Sequence, residues 1–393
     1  MTTFFEQNRK YFLWAAYVLI ALLLLLWLGP LIAEKKPSRL VQSTISGLLI
    51  GGIYALIALG IVIINKASGV FNFAHGWMML LGGLIFYSFF STSSISLLAA
   101  GGLAALTVVM AITMTNWRAI LEPRNLIIAV VVTVVLTAVM SLPGRDWQYV
   151  RAIVGALTGA VLLGLVAERF TIRPLIGQPL FATVLMTLAI SELLNGVTQL
   201  TWGSVEIPLQ VFSNPDGSSL STIKLDSLKD ALGGTVIIQP GLLFSFGLAL
   251  LAFVAFVLFF QFTNVGLAMR ASAENQRLAQ AIGLRVRIIL AVAWAIAALL
   301  ATVGGVLQGG ATTLSLNMPL LALLAFPAVL LGGLESIGGA LVGGLVIGLI
   351  QEWANLLFPG TQAGTELAPY VVLMIVLVIR PDGLFGQKRI ERI

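Results

Sequence analysis

The sequence predicts an all-α fold, a polytopic helical membrane protein with about twelve apolar spans, each close to the length that a ~30 Å hydrocarbon core requires at ~1.5 Å per residue. Three observations predict it. Of the 393 residues, 59% are hydrophobic and 10% charged, and the mean hydropathy is +1.03. The apolar runs recur along the whole chain, separated by short polar stretches. Those stretches hold much of the net charge of +6, which therefore reports orientation in a membrane rather than affinity for nucleic acid.

Taken in order, Arg9 and Lys10 precede the apolar run Tyr11 to Ile32. That run is longer than a signal-peptide core and no A-x-A site follows, so residues 1–40 read as an extra, retained N-terminal helix. Val41 to Ile64 is the next span and carries Gly47, Gly51, Gly52 and Gly60, the small residues through which membrane helices approach closely. After a break at 69–76 come Trp77–Phe90, Ile95–Thr115, Leu126–Leu142, Val150–Ala167 and Phe181–Leu200. The 203–237 segment is polar, with a turn signal at Asn214-Pro215-Asp216-Gly217, and is expected as an external loop holding a small hairpin or short helix. Ile238–Phe262, Ile288–Leu307, Pro319–Leu331, Ile337–Trp353 and Leu367–Ile379 complete the set. The positive-inside rule places 116–124, 169–180, 263–287 and the basic tail in the cytoplasm. Lys35, Lys36 and Arg39 fall outside in this scheme, against the rule.

Two glycine-flanked interruptions, 69–76 and 332–339, suggest broken helices in an inverted repeat, with a pathway at the repeat interface. The 263–287 stretch instead reads as a short helix. Leu267, Ala271, Leu278, Ala281 and Ile282 recur on one side of it, and Arg270, Gln276 and Arg277 lie off that side. Gly283 stands where a helix stops. Such an amphipathic helix either docks into a partner's groove or lies on lipid.

The chemistry absent is informative. There is no cysteine, which excludes disulfides, iron–sulfur clusters and thiol chemistry, and with a single histidine, His75, neither a paired-histidine haem nor a multi-histidine metal site is expected within the chain. No phosphate-binding G-x-x-x-x-G-K-[ST] loop, H-E-x-x-H or G-x-S-x-G occurs, so neither ATP binding by such a loop nor an enzyme is expected. Inside the spans the polar residues are few: Asn72, His75, Glu192, Asn195, Gln308, Glu335, Glu352 and Asn355. Asn72, His75, Glu192, Asn195 and Glu335 are the candidates for a substrate pathway, since intramembrane polar groups are costly to keep. Four of them have a plainer reading. His75 would bond freed backbone at the helix break, Glu192 with Asn195 would bond between helices, and Glu335 would reach water at a span end. No chain of buried carboxylates, lysines or histidines offers ion coupling, so energy is expected from a partner, which favours the docking reading of 263–287.

Five motifs in order then become recognisable: GVFNFAHG at 69–76, the E-R…R-P-L turn at Glu168-Arg169 and Arg173–Leu175, RASAEN…IG at 270–283, FPAVLLGGLESIGGA at 326–340, and RPDGLFG at 380–386. Together they resemble the branched-chain amino-acid ABC permease family, in its Liv-type "H" subunit. Trp77 stands where the family commonly has an acidic residue, Glu335 where it has glycine, and 92–147 looks like two inserted helices. The resemblance implies a single transmembrane permease domain over 1–393 in a bacterial plasma (inner) membrane, importing branched-chain or other neutral amino acids. It implies no cofactor of its own, ATP being bound by two cytoplasmic ATPase subunits, together with a second permease subunit and an external substrate-binding protein. It also assigns 263–287 as the cytoplasmic loop that couples to the ATPase, through Arg270, Glu274, Arg277, Leu278, Ile282 and Gly283. A urea or short-chain amide importer of the same family is the alternative. An ion-coupled carrier or channel and a respiratory-complex subunit are the readings from other classes.

Overall fold

The computed structural model describes residues 26, 29–92, 95–204, 206–213, 220–361 and 366–386. The expected first span, Tyr11 to Ile32, falls almost wholly outside these residues. Its helices are α1 (Pro37–Ser68), α2 (His75–Ser91), α3 (Leu97–Ile112), α4 (Pro123–Met140), α5 (Gln148–Ala167), α6 (Leu180–Trp202), α7 (Pro240–Phe262), α8 (Asn264–Glu274), α9 (Gln276–Ala281), α10 (Val286–Ala311), α11 (Met318–Gly332), α12 (Ile337–Leu357) and α13 (Ala368–Ile379), with shorter helical turns between some of them.

The centre of the molecule is α1. Its 32 residues span about 48 Å, beginning at Pro37, which fits a first turn, and ending at Gly69, whose φ of 71° is the left-handed conformation that closes a helix. From Ile53 to Ile64 the helix is buried throughout. Its close partner is α12. A Cβ on Gly51 would lie 2.8 Å from Leu345 Cα, and one on Gly47 would lie 2.9 Å from Gly348 O. Two backbones therefore touch where glycine removes the side chains, the arrangement that substitutes for hydrophobic drive between helices in lipid.

The packing repeats with inverted direction. α2 lies on α10 as α11 lies on α1; α2 meets α5 and α6 as α11 meets α12 and α13; and α5 lies on α10 as α12 lies on α1. The two halves are thus α1, α2, α5, α6 and α10, α11, α12, α13. α3 and α4 pack on each other and on α5, to one side of this core. The interior interruption that corresponds to 69–74 is 312–317, between α10 and α11. The expected counterpart, 332–339, is a tight surface turn between α11 and α12. Its glycines serve close backbone contact, as at Gly332 against Gly339, rather than a break inside the protein.

One end of the bundle is basic. Lys66 Nζ donates to Glu335 O (3.1 Å), and the C-terminal motif joins the same turn, Leu384 N donating to Leu331 O and Phe385 N to Gly332 O. Arg173 forms a two-pronged ion pair with the buried Glu168 (2.7 and 2.9 Å) and donates to Met114 O, while Arg169 donates to Thr113 O and stacks over Trp117. At the opposite end, β1 (Ile223–Leu225) and β2 (Val236–Ile238) form a two-stranded antiparallel hairpin, joined through the helical turn Lys229–Leu232. Ile237 N donates to Gln42 Oε1 (2.6 Å) and Ile207 pairs with Leu314, which seats the segment on α1 and on the 312–317 break. The buried Arg151 also lies here. It donates to the carbonyls of Phe89, Thr92, Leu142 and Gly144 at 2.5–3.1 Å, joining the ends of α2 and α4. Arg151→Leu is expected to lower stability by about 3 kcal/mol, because it strands buried acceptors of charge-assisted bonds. The thermal midpoint of the detergent-solubilised protein reads this, and an unchanged midpoint contradicts it.

Among the described residues seven helices are long and apolar enough to cross a membrane, and three shorter apolar ones accompany them, fewer than the twelve spans expected. One expected span, Tyr11 to Ile32, lies almost wholly outside these residues, and four others are too short. α2, α3, α11 and α13 have 17, 16, 15 and 12 residues, which is about 18–26 Å at 1.5 Å per residue and short of a ~30 Å core.

Candidate functional site

The first functional feature is interior. α2 begins at His75, whose ring lies against Gly60, where an added Cβ would be 2.8 Å from Nε2 and 3.5 Å from Ala297 O. Ala297 is midway along α10, so the start of α2 lies deep in the bundle. α11 begins beside it. A Cβ on Gly76 would lie 2.9 Å from Pro319 Cα. Two helix N-termini thus meet inside the protein, each with the partial positive charge of a helix start. Asn72 Oδ1 accepts from Ala74 N (3.1 Å), and its Nδ2 faces Met78 Sδ at 3.6 Å, so Asn72 supports the turn into α2. His75 is fully buried and neither ring nitrogen has a hydrogen-bond partner. The plainer expectation, bonding to freed carbonyls at the break, is therefore not what the ring does. An imidazole held this way carries the cost of an unmade bond, about 1–3 kcal/mol. Phe73 stacks on Phe326 of α11 at 5.3 Å.

The second feature is a platform at the basic end. The 264–282 stretch is two helices, not one. Asn275 has φ −155° and ψ 103°, and its Oδ1 accepts from Leu278 N (3.0 Å), so it caps α9 and ends α8. Gly283 has φ +90° and closes α9. α8 turns Gly266, Met269 and Ser272 inward, where Met269 and Ala273 meet Val62, Ile63 and Lys66 of α1 and Phe260 of α7. The side expected to be apolar points away from the protein: Leu267, Leu278 and Ile282 are 57%, 61% and 69% exposed. Glu274 is exposed beside them. Arg270 is tied to the fold. It donates to Phe260 O and Gln261 O at the end of α7 and lies over the Phe260 ring, where a cation complements the negative helix terminus. The Arg277 side chain lies outside the described residues.

The remaining pathway candidates stand apart. Asn72 and His75 are together. Glu192 and Asn195 are on the outward face of α6, bonded to each other (3.3 Å), and Glu335 is exposed in the surface turn at the basic end. These five residues do not line one cavity. Sequence reading missed the 312–317 interruption, which carries no glycine, and the break at Asn275, although Asn ahead of a helical run is a capping signal.

The family model for the permease component of branched-chain amino-acid transport systems matches residues 43–379. The chain is 25% identical to the high-affinity branched-chain amino acid transport system permease protein LivH of Salmonella typhimurium, across 90% of this chain and 97% of the relative. It is 27% identical to the corresponding permease protein BraD of Pseudomonas aeruginosa, with the same coverage. It is 30% identical to a probable branched-chain amino acid transport permease protein LivH of Methanocaldococcus jannaschii, across 61% of this chain and 75% of that one. No solved structure matches the chain.

Proposed function

This chain belongs to the family of branched-chain amino-acid transport system permease components, and from that premise we propose that it is the membrane-spanning permease subunit of an importer driven by partner ATPases, carrying branched-chain or other neutral amino acids across a bacterial inner membrane. The observation that carries the reading is the exposure of Leu267 on α8 and of Leu278 and Ile282 at α9, at the basic end. Apolar side chains this exposed, on helices whose other face is packed, suit insertion into a groove of a cytoplasmic subunit. The basic residues around them set that end inside.

The mechanism follows from what α8 touches. It packs on α1, α7 and α10, and Arg270 ties it to the last carbonyls of α7. A displacement of the α8–α9 pair therefore reaches α1, which carries Gly60 against His75 and lies on α12. The ATPase subunits would bind ATP; this chain would hold no cofactor. ATP-driven movement changes access only if docking energy differs between inward- and outward-open states. The converging starts of α2 and α11 are placed to feel that change, and the positive ends of their dipoles suit the carboxylate of an amino acid. A second permease subunit and an external substrate-binding protein would complete the assembly.

The test is uptake of labelled leucine, alanine and urea, with and without this gene, repeated after ATP depletion with ion gradients clamped. Loss of an ATP-dependent leucine or alanine flux is expected. Loss of urea flux alone would move the substrate to urea, and a gene-dependent flux that survives ATP depletion would refute the ATPase-driven reading.

A further inference from the structure

We infer that a cavity at the basic end, beneath the 69–74 interruption, is a cytoplasm-facing site for a neutral amino acid with an aliphatic side chain, and that import slows when it fills; this rests on the permease reading above. The cavity has a volume of about 170 Å³ and lies between the end of α1, the 172–178 turn, the first turn of α6 and the start of α10. None of its lining residues belongs to α2 or α11, so it is separate from the place where those helices begin. Pockets for drug-sized ligands run to ~300–1,000 Å³. This one excludes a peptide or a nucleotide and leaves room for a single amino acid.

The lining selects the ligand. Val70, Ile172, Leu175 and Leu290 give it an apolar wall, and Ser68, Gln178 and Thr183 give it polar groups. No lysine, arginine, aspartate or glutamate lines it, so a ligand with net charge would go unpaired. A zwitterion would not. α1 ends at Ser68, with its negative dipole end at the cavity, and α6 begins at Leu180, with its positive end there and no side chain capping it. An ammonium suits the Ser68 side and a carboxylate the Thr183 side. Thr183 is the independent sign that a polar ligand belongs here. It is 5% exposed, it lines the cavity, and among the described residues it has no hydrogen-bond partner. One turn further along the same face of α6, Thr187 donates to Phe71 O (3.2 Å), so the helix satisfies its hydroxyl where protein is within reach. Buried hydroxyls are seldom left unpaired, and a carboxylate in the cavity supplies the missing partner.

The site is built before it is filled. Arg173, between Ile172 and Leu175, is held by its ion pair with Glu168 (2.7 Å). Ile176 and Gln178 are exposed at the mouth, on either side of Gly177. A ligand here touches α1, α6, α10 and the 172–178 turn at once, and favours the arrangement that encloses it. Amino acid accumulated in the cytoplasm therefore holds α1, the helix that α8 would drive.

The experiment applies the diazirine analogue of leucine as a photo-label to the assembled transporter in lipid nanodiscs and locates the adduct by peptide mapping. An adduct within 172–183 or 68–70, displaced by excess leucine and not by urea, is expected. Adducts confined to other residues, no displaceable adduct, or displacement by urea as effective as by leucine overturns the inference. Thr183→Val removes the hydroxyl, and Ile176→Trp blocks the mouth from an exposed position that tolerates a larger side chain. Each is expected to weaken labelling at least tenfold, and unchanged labelling in either overturns the site. In vesicles that hold ATP, preloaded leucine is expected to lower the initial uptake rate at least threefold relative to preloaded urea, and Ile176→Trp to bring that ratio near one. Equal rates in the unsubstituted protein overturn the slowing of import. Uptake that needs no ATP refutes the permease reading instead, whereas the site itself is decided by the labelling.

Discussion

Replacing Leu278 and Ile282 together by aspartate is expected to abolish ATP-driven uptake while leaving the permease inserted and folded. Both side chains are more than half exposed, so the subunit itself loses little packing. In the assembly each would bury an apolar surface worth about 1.5–3 kcal/mol. Losing at least about 3 kcal/mol weakens docking by roughly a hundredfold. The check is co-purification of the ATPase with the double variant, beside its uptake rate. Glu274→Ala and Gly283→Pro should act in the same direction, the second because proline cannot hold the φ of +90° found at Gly283. Full uptake in the double variant, with normal ATPase capture, would show that α8 and α9 lie on lipid rather than in a partner.

Gly51→Leu is expected to have the largest effect on the fold. The atoms that a Cβ would meet are the Cα of Leu345 at 2.8 Å and the carbonyl oxygen of Gly344 at 2.9 Å. Both are backbone, so no side chain can swing aside. α1 and α12 must separate by several tenths of an ångström for a methyl and by more for leucine. Overpacking of this kind costs about 3 kcal/mol or more, and here it falls on the helix that also carries Gly60 and the His75 contact. The monodisperse fraction after detergent extraction should collapse, whereas Gly102→Leu, where nothing lies within 4 Å of the added atom, should behave as the unsubstituted protein. Equal yields of the two variants would mean that α1 and α12 are not in backbone contact.

Much of the candidate site was legible in particular residues. The GVFNFAHG stretch marked a broken helix because glycines and an asparagine interrupt an apolar run, and the structure starts α2 at His75 as that break requires. RASAENQRLAQAIG marked a surface helix by its charge and its spacing. Leu267, Leu278 and Ile282 of its expected apolar side are exposed, but reading one continuous helix overlooked Asn275, whose side chain caps a new helix more favourably than it continues the old one. Arg270 was placed in the ATPase-coupling helix by the family resemblance, and the carbonyls of Phe260 and Gln261 to which it donates become its neighbours only when the chain folds back. The glycines at 332–339 were read as an interior break by analogy with 69–76, whereas they lie in a surface turn against the C-terminal motif.

The sequence by itself determined the solvent of this protein, its all-helical class, its basic end and its family, because those properties are sums over local composition and short motifs. Hydrocarbon demands long apolar helices whatever their neighbours are. The tertiary structure alone decided which helices touch: that α1 seats on α12 through facing glycines, that the starts of α2 and α11 meet beside His75, and that Glu192 points away from its own subunit. Those outcomes depend on pairwise fit between segments far apart in the chain. In a membrane, where lipid offers no hydrophobic drive between helices, steric fit and hydrogen bonding choose the partners, and neither is written in the periodicity of any one segment.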